Sequence, residues 1–243
     1  MPALPPETAV AFGGGTPSIG GLAVFVLCWS VKGGSGTTVV ACSLALSLAA
    51  ESADGALLVD LAGDVPSVLG VPDPGGPGVQ GWLHASPDVG AGVLTSLESD
   101  CGGGLTLLPA GDADPTPPSS TRWNALGTWL AADTRSVVID CGNSSPHRGL
   151  RGHADSSLLI TRLCFLALRR ASGVGDLATG VVVVAEPGRA LSTSGVARVV
   201  GAPVVAEIPT DPSVARSVDA GLLLGRLPAS LRRPLRGLTH VAA

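Results

Sequence analysis

Seven short apolar runs, separated by segments with helical patterns, constrain the fold of this chain more than any other feature. Runs such as VVVVA and SVVID are continuously apolar, which is typical of strands buried on both faces of a sheet. The predicted strands are Leu22–Trp29, Ala56–Asp60, Leu105–Leu108, Ser136–Asp140, Ser157–Thr161, Gly180–Ala185 and Val204–Ile208. The predicted helices are Thr38–Ser52, Val79–His84, Thr121–Ala132, Cys164–Ser172 and Arg189–Val199. This alternation predicts an α/β fold, a mostly parallel twisted sheet of about seven strands with helices on both faces.

Composition limits the function classes that remain. The chain has 243 residues, of which 45% are hydrophobic and 14% charged, so it can bury a sizeable core and extensive disorder is excluded. A net charge of −4 gives no overall reason to bind nucleic acid or an acidic membrane. The five cysteines and four histidines show no paired metal-ligand spacing. A reduced, cytoplasmic setting is therefore expected, with recruitment to the cell pole or membrane left to partners.

The chain divides into three segments. Residues 1–20 are rich in Pro and Gly and are expected to form a flexible lead, residues 21–225 form the α/β domain, and residues 226–243 form a basic tail or helix. The most apolar run, Gly21–Trp29, has about half the length needed to cross a bilayer. The N-terminus also lacks the basic region of a secretory signal.

A glycine-rich loop joins the first predicted strand to the first helix, in the sequence VKGGSGTTVVACSLALSLAA. Unpaired N–H groups at a helix N-terminus bind phosphate oxygens, and glycines let the backbone approach them closely. Thr38 stands where phosphate loops place the hydroxyl that ligates Mg²⁺. Thr37, however, occupies the position at which such loops usually carry a lysine. An ordinary Gly-rich turn is the alternative interpretation.

Two acidic residues favour the phosphate-loop interpretation. Asp60 ends the apolar run LLVD and Asp140 ends the run VVID. In a parallel sheet, strand ends of this kind bring carboxylates to a magnesium–phosphate site. Either residue alone could simply cap the following turn. Together with the glycine loop, they predict a P-loop NTPase fold that binds a nucleotide with Mg²⁺.

These motifs, taken in order, resemble those of the ParA/MinD family of P-loop ATPases. KGGSGTT at Lys32–Thr38 resembles the family's deviant Walker A loop, KGG, any residue, then GKT. The segment EIPTDPSVARSVDAG, residues 207–221, resembles the stretch after the family's last core strand. VDLAGD, LLPAG at Leu107–Gly111 and the GTT-type loop are most similar to the CpaE/TadZ-like branch, which positions pilus or secretion machinery.

The resemblance implies ATP and Mg²⁺ as cofactors and assigns roles to individual residues. Lys32 would be the signature lysine that reaches the partner's phosphates across a nucleotide-sandwich homodimer, and with Asp60, the first switch aspartate, it would serve catalysis. Asp140 would take the Walker B position, and Thr38, Asp60 and Asp140 would hold the metal. The implied nucleotide-binding residues are Lys32, Gly33, Gly34, Ser35, Gly36, Thr37, Thr38, Pro209 and Asp211, the last two near the adenine.

The chain departs from the family pattern at three points. Thr37 removes the fixed positive charge beside the β- and γ-phosphates, which lowers both affinity and transition-state stabilisation. Ala62 replaces the acid that positions the attacking water, for which Asp64 could substitute only in a shifted loop register. Ala185–Glu186–Pro187 replaces a base-reading Asn, so the preference for ATP over GTP rests on the resemblance alone. We therefore expect ATP binding and ATP-dependent dimerisation, with slow or absent hydrolysis.

Three functions remain open at this stage. The first is an ATP-switched positioning or partitioning protein with a protein partner in pilus, secretion or septum machinery. The second is a nucleotide-independent scaffold with a degenerate phosphate loop, and the third is a metabolic or kinase member of the same fold. The arginines of the tail from Arg226 would allow DNA or membrane contact, but packing of its leucines on the domain is favoured.

Overall fold

The computed structural model describes residues 23–112 and 116–238, and the predicted lead at residues 1–20 lies outside them. The described residues form an eight-stranded sheet of order β3-β4-β2-β5-β1-β6-β7-β8, in which only the β3–β4 pair is antiparallel. The strands are β1 Phe25–Trp29, β2 Ala56–Asp60, β3 Ser99–Gly102, β4 Leu105–Leu108, β5 Ser136–Asp140, β6 Ser156–Arg162, β7 Gly180–Ala185 and β8 Val204–Pro209. The predicted α/β fold with a mostly parallel sheet is confirmed.

The predicted count of about seven strands is one too low. The additional strand, β3, has the sequence SDCG and lies at the edge of the sheet, where it pairs only with β4. Its side chains alternate between half-buried and exposed, so its sequence contains no apolar run. The segment therefore forms a strand because it pairs with the apolar strand β4, and not because of a hydrophobic pattern of its own.

Nine α-helices cover the sheet in the described part of the chain. They are α1 Thr37–Glu51, α2 Val65–Leu69, α3 Gly78–His84, α4 Ser120–Ala131, α5 Arg148–Arg151, α6 Phe165–Ala171, α7 Thr193–Val200, α8 Pro212–Asp219 and α9 Ala229–Leu235. The five predicted helices correspond to α1, α3, α4, α6 and α7. The prediction placed the start of α7 too early, at Arg189, because Ser192 caps this helix by accepting the Gly195 N–H at 3.2 Å.

Two apolar cores lie on the two faces of the sheet. Helices α1, α2 and α9 contribute buried residues to one core, and α3 to α7 contribute to the other. Leu231 and Leu235 of α9 and Leu238 after it are buried in the first core, where α9 packs against α1 and β8. The favoured packing of the tail's leucines is thus observed, with Pro234 inside α9, while residues 239–243 lie outside the described part. Among the described residues, no helix has both the length and the apolar character needed to span a membrane.

Candidate functional site

The glycine loop lies between β1 and α1 at the carboxyl edge of the parallel strands. Gly34 and Gly36 have φ angles of +74° and +91°, a left-handed conformation that favours glycine, and Gly36 is the N-cap of α1. No side chain caps the helix, and its first backbone hydrogen bond runs from Val40 N–H to Gly36 O at 3.0 Å. The N–H groups of the first turn therefore have no partner within the helix and can bind an anion.

A polar cavity of about 460 Å³ opens at this loop. Its lining residues are Ser30, Gly33–Val39, Leu61, Ala62, Asp64 and Cys141–Ser144. They come from three segments, which follow β1, β2 and β5. Gly142 joins two of the segments, because its carbonyl accepts hydrogen bonds from the N–H and hydroxyl of Ser30 at 2.9 and 3.1 Å. The structure thus brings the predicted phosphate-binding residues from Gly33 to Thr38 to one cavity.

Asp140 is a buried carboxyl group beside this cavity. Its Oδ1 accepts the Gly142 N–H at 3.0 Å, while its Oδ2 is buried with no hydrogen-bond partner among the described residues. Burial raises the pKa of Asp140 to about 6, and the neighbouring carboxylates of Asp60 and Asp64 add to this, whereas the Thr38 hydroxyl and the Gly142 N–H oppose it. A carboxylate oxygen without a partner, close to a threonine hydroxyl, is a donor set that suits Mg²⁺. Thr38 and Asp140 therefore fit a magnesium ion.

Asp60 has a different local arrangement. Its Oδ1 accepts N–H groups from Ala62 and Gly63 at 2.9 and 2.7 Å, and its Oδ2 accepts the Val65 N–H at 3.1 Å. Burial raises the pKa of Asp60, and the three N–H groups act against that shift. Both oxygens thus hold the segment between β2 and α2, and Asp60 does not line the polar cavity. Its catalytic and metal-binding roles stay predictions.

Ala62 and Asp64, the two residues discussed for the water-positioning role, both line the polar cavity. Asp64 is exposed, and its side chain makes no cap bond to α2. The loop held by Asp60 therefore leaves one carboxylate, Asp64, open to the cavity.

Among the residues that the structure describes, no basic side chain lines the polar cavity. Thr37, at the usual lysine position, is only 6% exposed and carries no charge. Lys32 is half-buried, and its Nζ donates to the neighbouring Gly33 carbonyl at 3.1 Å rather than into the cavity. The carboxylate of Asp64 lines the cavity, and Asp60 and Asp140 lie buried beside it. The local charge therefore opposes a phosphate unless cations are supplied.

An apolar cavity of about 330 Å³ adjoins the polar one and shares Gly36 and Val39 with it. Its walls include Val184 and Ile208, together with the predicted base-proximal segment from Pro209 to Asp211. This pairing of a polar and an apolar cavity around one helix N-terminus matches the two halves of a nucleotide, phosphates and base.

Asp211 fixes the far wall of the apolar cavity. It caps α8 by accepting the Ser213 N–H at 2.8 Å, and it accepts the hydroxyls of Ser213 and Ser230, each at 2.7 Å. The Ser213 and Ser230 hydroxyls lower the pKa of Asp211 to about 2. Because Ser230 belongs to α9, this contact ties the C-terminal helix to the cavity wall.

The sequence interpretation missed one charged residue of the site, Arg162. It ends β6, lines the apolar cavity and forms an ion pair with Glu186 at 2.9 Å. Its position in the sequence could have indicated the site, because SSLLITR is an apolar run that ends in a charged residue, as LLVD and VVID are. Among the described residues, no group of three or more His, Cys, Asp or Glu side chains could hold a metal ion.

Solved structures with the same architecture are ATPases of the ParA and MinD type. A ParA family ATPase from Chlorobium tepidum has a TM-score of 0.71 at 20% identity, over 89% of this chain and 98% of that one. The septum site-determining protein MinD from Pyrococcus horikoshii, complexed with Mg-ADP, has a TM-score of 0.69 at 19% identity, over 90% and 95%. An ATP complex of a McdA variant from Cyanothece has a TM-score of 0.67 at 19% identity, over 91% and 97%.

No protein-family model matches the chain, and no curated protein matches it either. At these identities the structural likeness establishes the fold, which is that of P-loop ATPases of the ParA and MinD type. The chain spans nearly the full length of each of these structures, so the likeness covers the whole α/β domain.

Proposed function

We propose that this protein is a ParA/MinD-type positioning or partitioning protein that binds ATP with Mg²⁺, dimerises through the nucleotide and hydrolyses it slowly or not at all. The observation that carries the proposal is the adjoining pair of cavities at the N-terminus of α1, one polar and one apolar, which share Gly36 and Val39. Unpaired N–H groups of the first turn of α1 border the polar half, and the buried Oδ2 atom of Asp140 lies one residue before Cys141, which lines it. A magnesium–nucleotide complex has the shape and the donor requirements that these groups offer.

In this proposal the chain's residues bind and orient the nucleotide. The N–H groups of the loop from Gly33 to Thr38 bind the phosphates, and Thr38 and Asp140 hold the metal ion. Mg²⁺, when bound, would neutralise part of the phosphate charge. The segment from Pro209 to Asp211 borders the base, and Asp64 is the carboxylate left to orient a water molecule.

Replacing Thr37 by Lys is expected to tighten MgATP binding about tenfold or more and to raise the hydrolysis rate. The lysine places a positive charge beside the β- and γ-phosphates, where the wild-type cavity has none. Thr37→Met is the matched control, because it adds a side chain of similar length without charge. Calorimetry and a phosphate-release assay measure the two effects. Equal behaviour of the Lys and Met variants, or wild-type turnover equal to that of Thr37→Lys, would contradict the proposed cause of slow hydrolysis.

The proposed dimer is supported by exposed apolar residues beside the loop. Helix α6 follows β6, the parallel neighbour of β1, and Arg170 of α6 donates to the Val31 carbonyl at 3.4 Å. Phe165 and Leu166, at the start of this helix, are 74% and 45% exposed. Large aromatic side chains of this kind often anchor interfaces. A second copy facing the glycine loop would cover them.

Sedimentation velocity with and without MgATP tests whether the protein dimerises with nucleotide. The result distinguishes the ATP-switched positioning protein from the nucleotide-independent scaffold. The scaffold alternative is supported by Thr37 and by the lack of basic lining. We expect a monomer without nucleotide, a dimer with MgATP, and at least a tenfold weaker dimer for Phe165→Ser. Leu222→Ser is the matched control, since Leu222 is 56% exposed but lies in the groove between α8 and α9. An oligomeric state that is the same with and without MgATP would favour the scaffold alternative.

The finer assignments belong to the same proposal. The CpaE/TadZ-like branch, a partner in pilus, secretion or septum machinery, and recruitment to the pole or membrane by that partner are supported by the resemblance of VDLAGD, LLPAG and the GTT-type loop. Pull-down of partners with nucleotide-loaded protein would identify the cargo.

A further inference from the structure

Arg162 stands in the wall of the candidate nucleotide site with part of its hydrogen-bonding capacity unused. Its Nε is buried and has no hydrogen-bond partner among the described residues. In the parallel ladder Arg162 lies opposite Val184, and a Cβ placed on Gly36 would lie 3.8 Å from the Cγ2 of Val184. Arg162 and the last glycine of the loop therefore border the same apolar cavity, and Gly36 also lines the polar half.

The ion pair of Arg162 does not neutralise this region. Glu186 accepts one hydrogen bond from Arg162 at 2.9 Å and is also paired with Arg189, so two guanidinium groups share one carboxylate. Asp211 and Asp219 line the same cavity, but neither forms an ion pair with Arg162. The hydrogen bonds to Asp211 come from Ser213 and Ser230 instead. The cluster of Arg162, Arg189 and Glu186 therefore carries a net positive charge, beside a site whose phosphate half has no basic lining among the described residues.

We propose that Arg162 binds the phosphate groups of the nucleotide from the β6 side and supplies the positive charge that the glycine loop lacks at Thr37. This inference rests on the proposed function, since it presupposes a bound nucleotide. A buried N–H of a charged group is costly to leave without a partner, and a phosphate oxygen is a strong acceptor for it. The planar guanidinium can donate to a phosphate while it keeps its bond to Glu186.

The inference depends on where Arg162 lies, because other arginines share its unpaired Nε or its ion pair but line neither cavity. Arg122 and Arg151 also have a buried Nε without a hydrogen-bond partner, but neither lines the polar or the apolar cavity. Arg189 shares Glu186 with Arg162 and likewise lines neither cavity. Arg189 is therefore a matched control for the loss of one charge from the same ion cluster.

The test compares wild type, Arg162→Ala and Arg189→Ala by calorimetry with MgATP and MgADP, and by displacement of a fluorescent ADP with adenosine. We expect Arg162→Ala to weaken MgATP and MgADP binding about tenfold or more, the size of a charge-assisted hydrogen bond. Adenosine binding and the Arg189→Ala variant are expected to stay within about threefold of wild type. Arg162→Lys, which keeps the charge but loses the guanidinium geometry, is expected to lie between Arg162→Ala and wild type.

A second measurement repeats Arg162→Ala in the Thr37→Lys background. If Arg162 supplies the missing charge, the added lysine is expected to reduce the cost of Arg162→Ala, because two nearby charges are not additive. Equal losses in Arg162→Ala and Arg189→Ala, or a loss that extends equally to adenosine, would overturn the inference alone. Failure of wild type to bind any nucleotide would overturn the proposed function and the inference with it.

Discussion

Replacing Asp140 by Asn is expected to abolish the magnesium-dependent part of nucleotide binding while making the nucleotide-free protein more stable. The buried Oδ2 of Asp140 has no hydrogen-bond partner among the described residues, and the Gly142 N–H and the Thr38 hydroxyl offset only part of the cost of burying the negative charge, so a cation would relieve the remainder. Asn removes the charge and keeps an oxygen that can accept the Gly142 N–H. We expect a gain of about 1–2 kcal/mol in the free energy of unfolding at neutral pH.

The raised pKa of Asp140 also predicts how the free energy of unfolding changes with pH. The pKa of Asp140 is raised from 3.8 to about 6 in the folded protein, so between these values the folded chain binds more protons than the unfolded chain. The free energy of unfolding therefore falls as the pH rises through this window, by up to about 3 kcal/mol, and the fall is complete above the folded pKa. The Asn variant lacks this fall.

Urea unfolding at pH 5 and pH 7.5, together with thermal melts with and without MgATP, measures both effects. Wild type is expected to gain stability from MgATP, and Asp140→Asn is expected to gain little. An Asn variant that is less stable than wild type without nucleotide, or that keeps the full MgATP stabilisation, would contradict the account of Asp140.

Asp60→Ala is expected to destabilise the protein by about 3 kcal/mol, whether or not nucleotide is present. The substitution leaves the N–H groups of Ala62, Gly63 and Val65 without their acceptor. The Val65 hydrogen bond is buried, and Val65 begins α2, so the connection between β2 and α2 loses its main support. Faster proteolysis between residues 61 and 65 is expected to accompany the loss.

Asp64→Ala is the matched control for Asp60→Ala, because Asp64 is an exposed carboxylate in the same loop. We expect its free energy of unfolding to stay within about 0.5 kcal/mol of wild type. Asp60→Asn keeps one acceptor oxygen and is expected to lie between the two. Chemical denaturation measures all three variants. If Asp60→Ala were no less stable than Asp64→Ala, the three backbone hydrogen bonds would not hold the loop.

The strands that position the site were predictable because they are buried on both faces. Ala56–Asp60 and Ser136–Asp140 were predicted with their observed bounds, and their final residues, Asp60 and Asp140, lie where the apolar runs end. Helices α2, α5 and α8 were not predicted, and α9 was predicted only as a basic tail or helix somewhere within residues 226–243. They are four to eight residues long and depend on local caps or on packing rather than on a long apolar period.

The chemistry of the site was less predictable than its location. The interpretation treated Asp60 and Asp140 alike, as strand-end acids, but backbone N–H groups occupy both oxygens of Asp60 and only one of Asp140. That difference depends on the path of the chain after each strand, which a strand pattern does not contain. Arg162 was missed for a related reason, since its proposed role depends on the neighbouring strand β7 and on Glu186 beyond it.

Calorimetric titration of the wild-type protein with ATP, with Mg²⁺ and then with EDTA in its place, tests the central claim most directly. The account predicts saturable binding with Mg²⁺ and at least tenfold weaker binding without it, because the phosphate half of the site is lined by the carboxylate of Asp64 and, among the described residues, by no basic side chain. No binding at millimolar ATP with Mg²⁺, or binding that is indifferent to Mg²⁺, would contradict it.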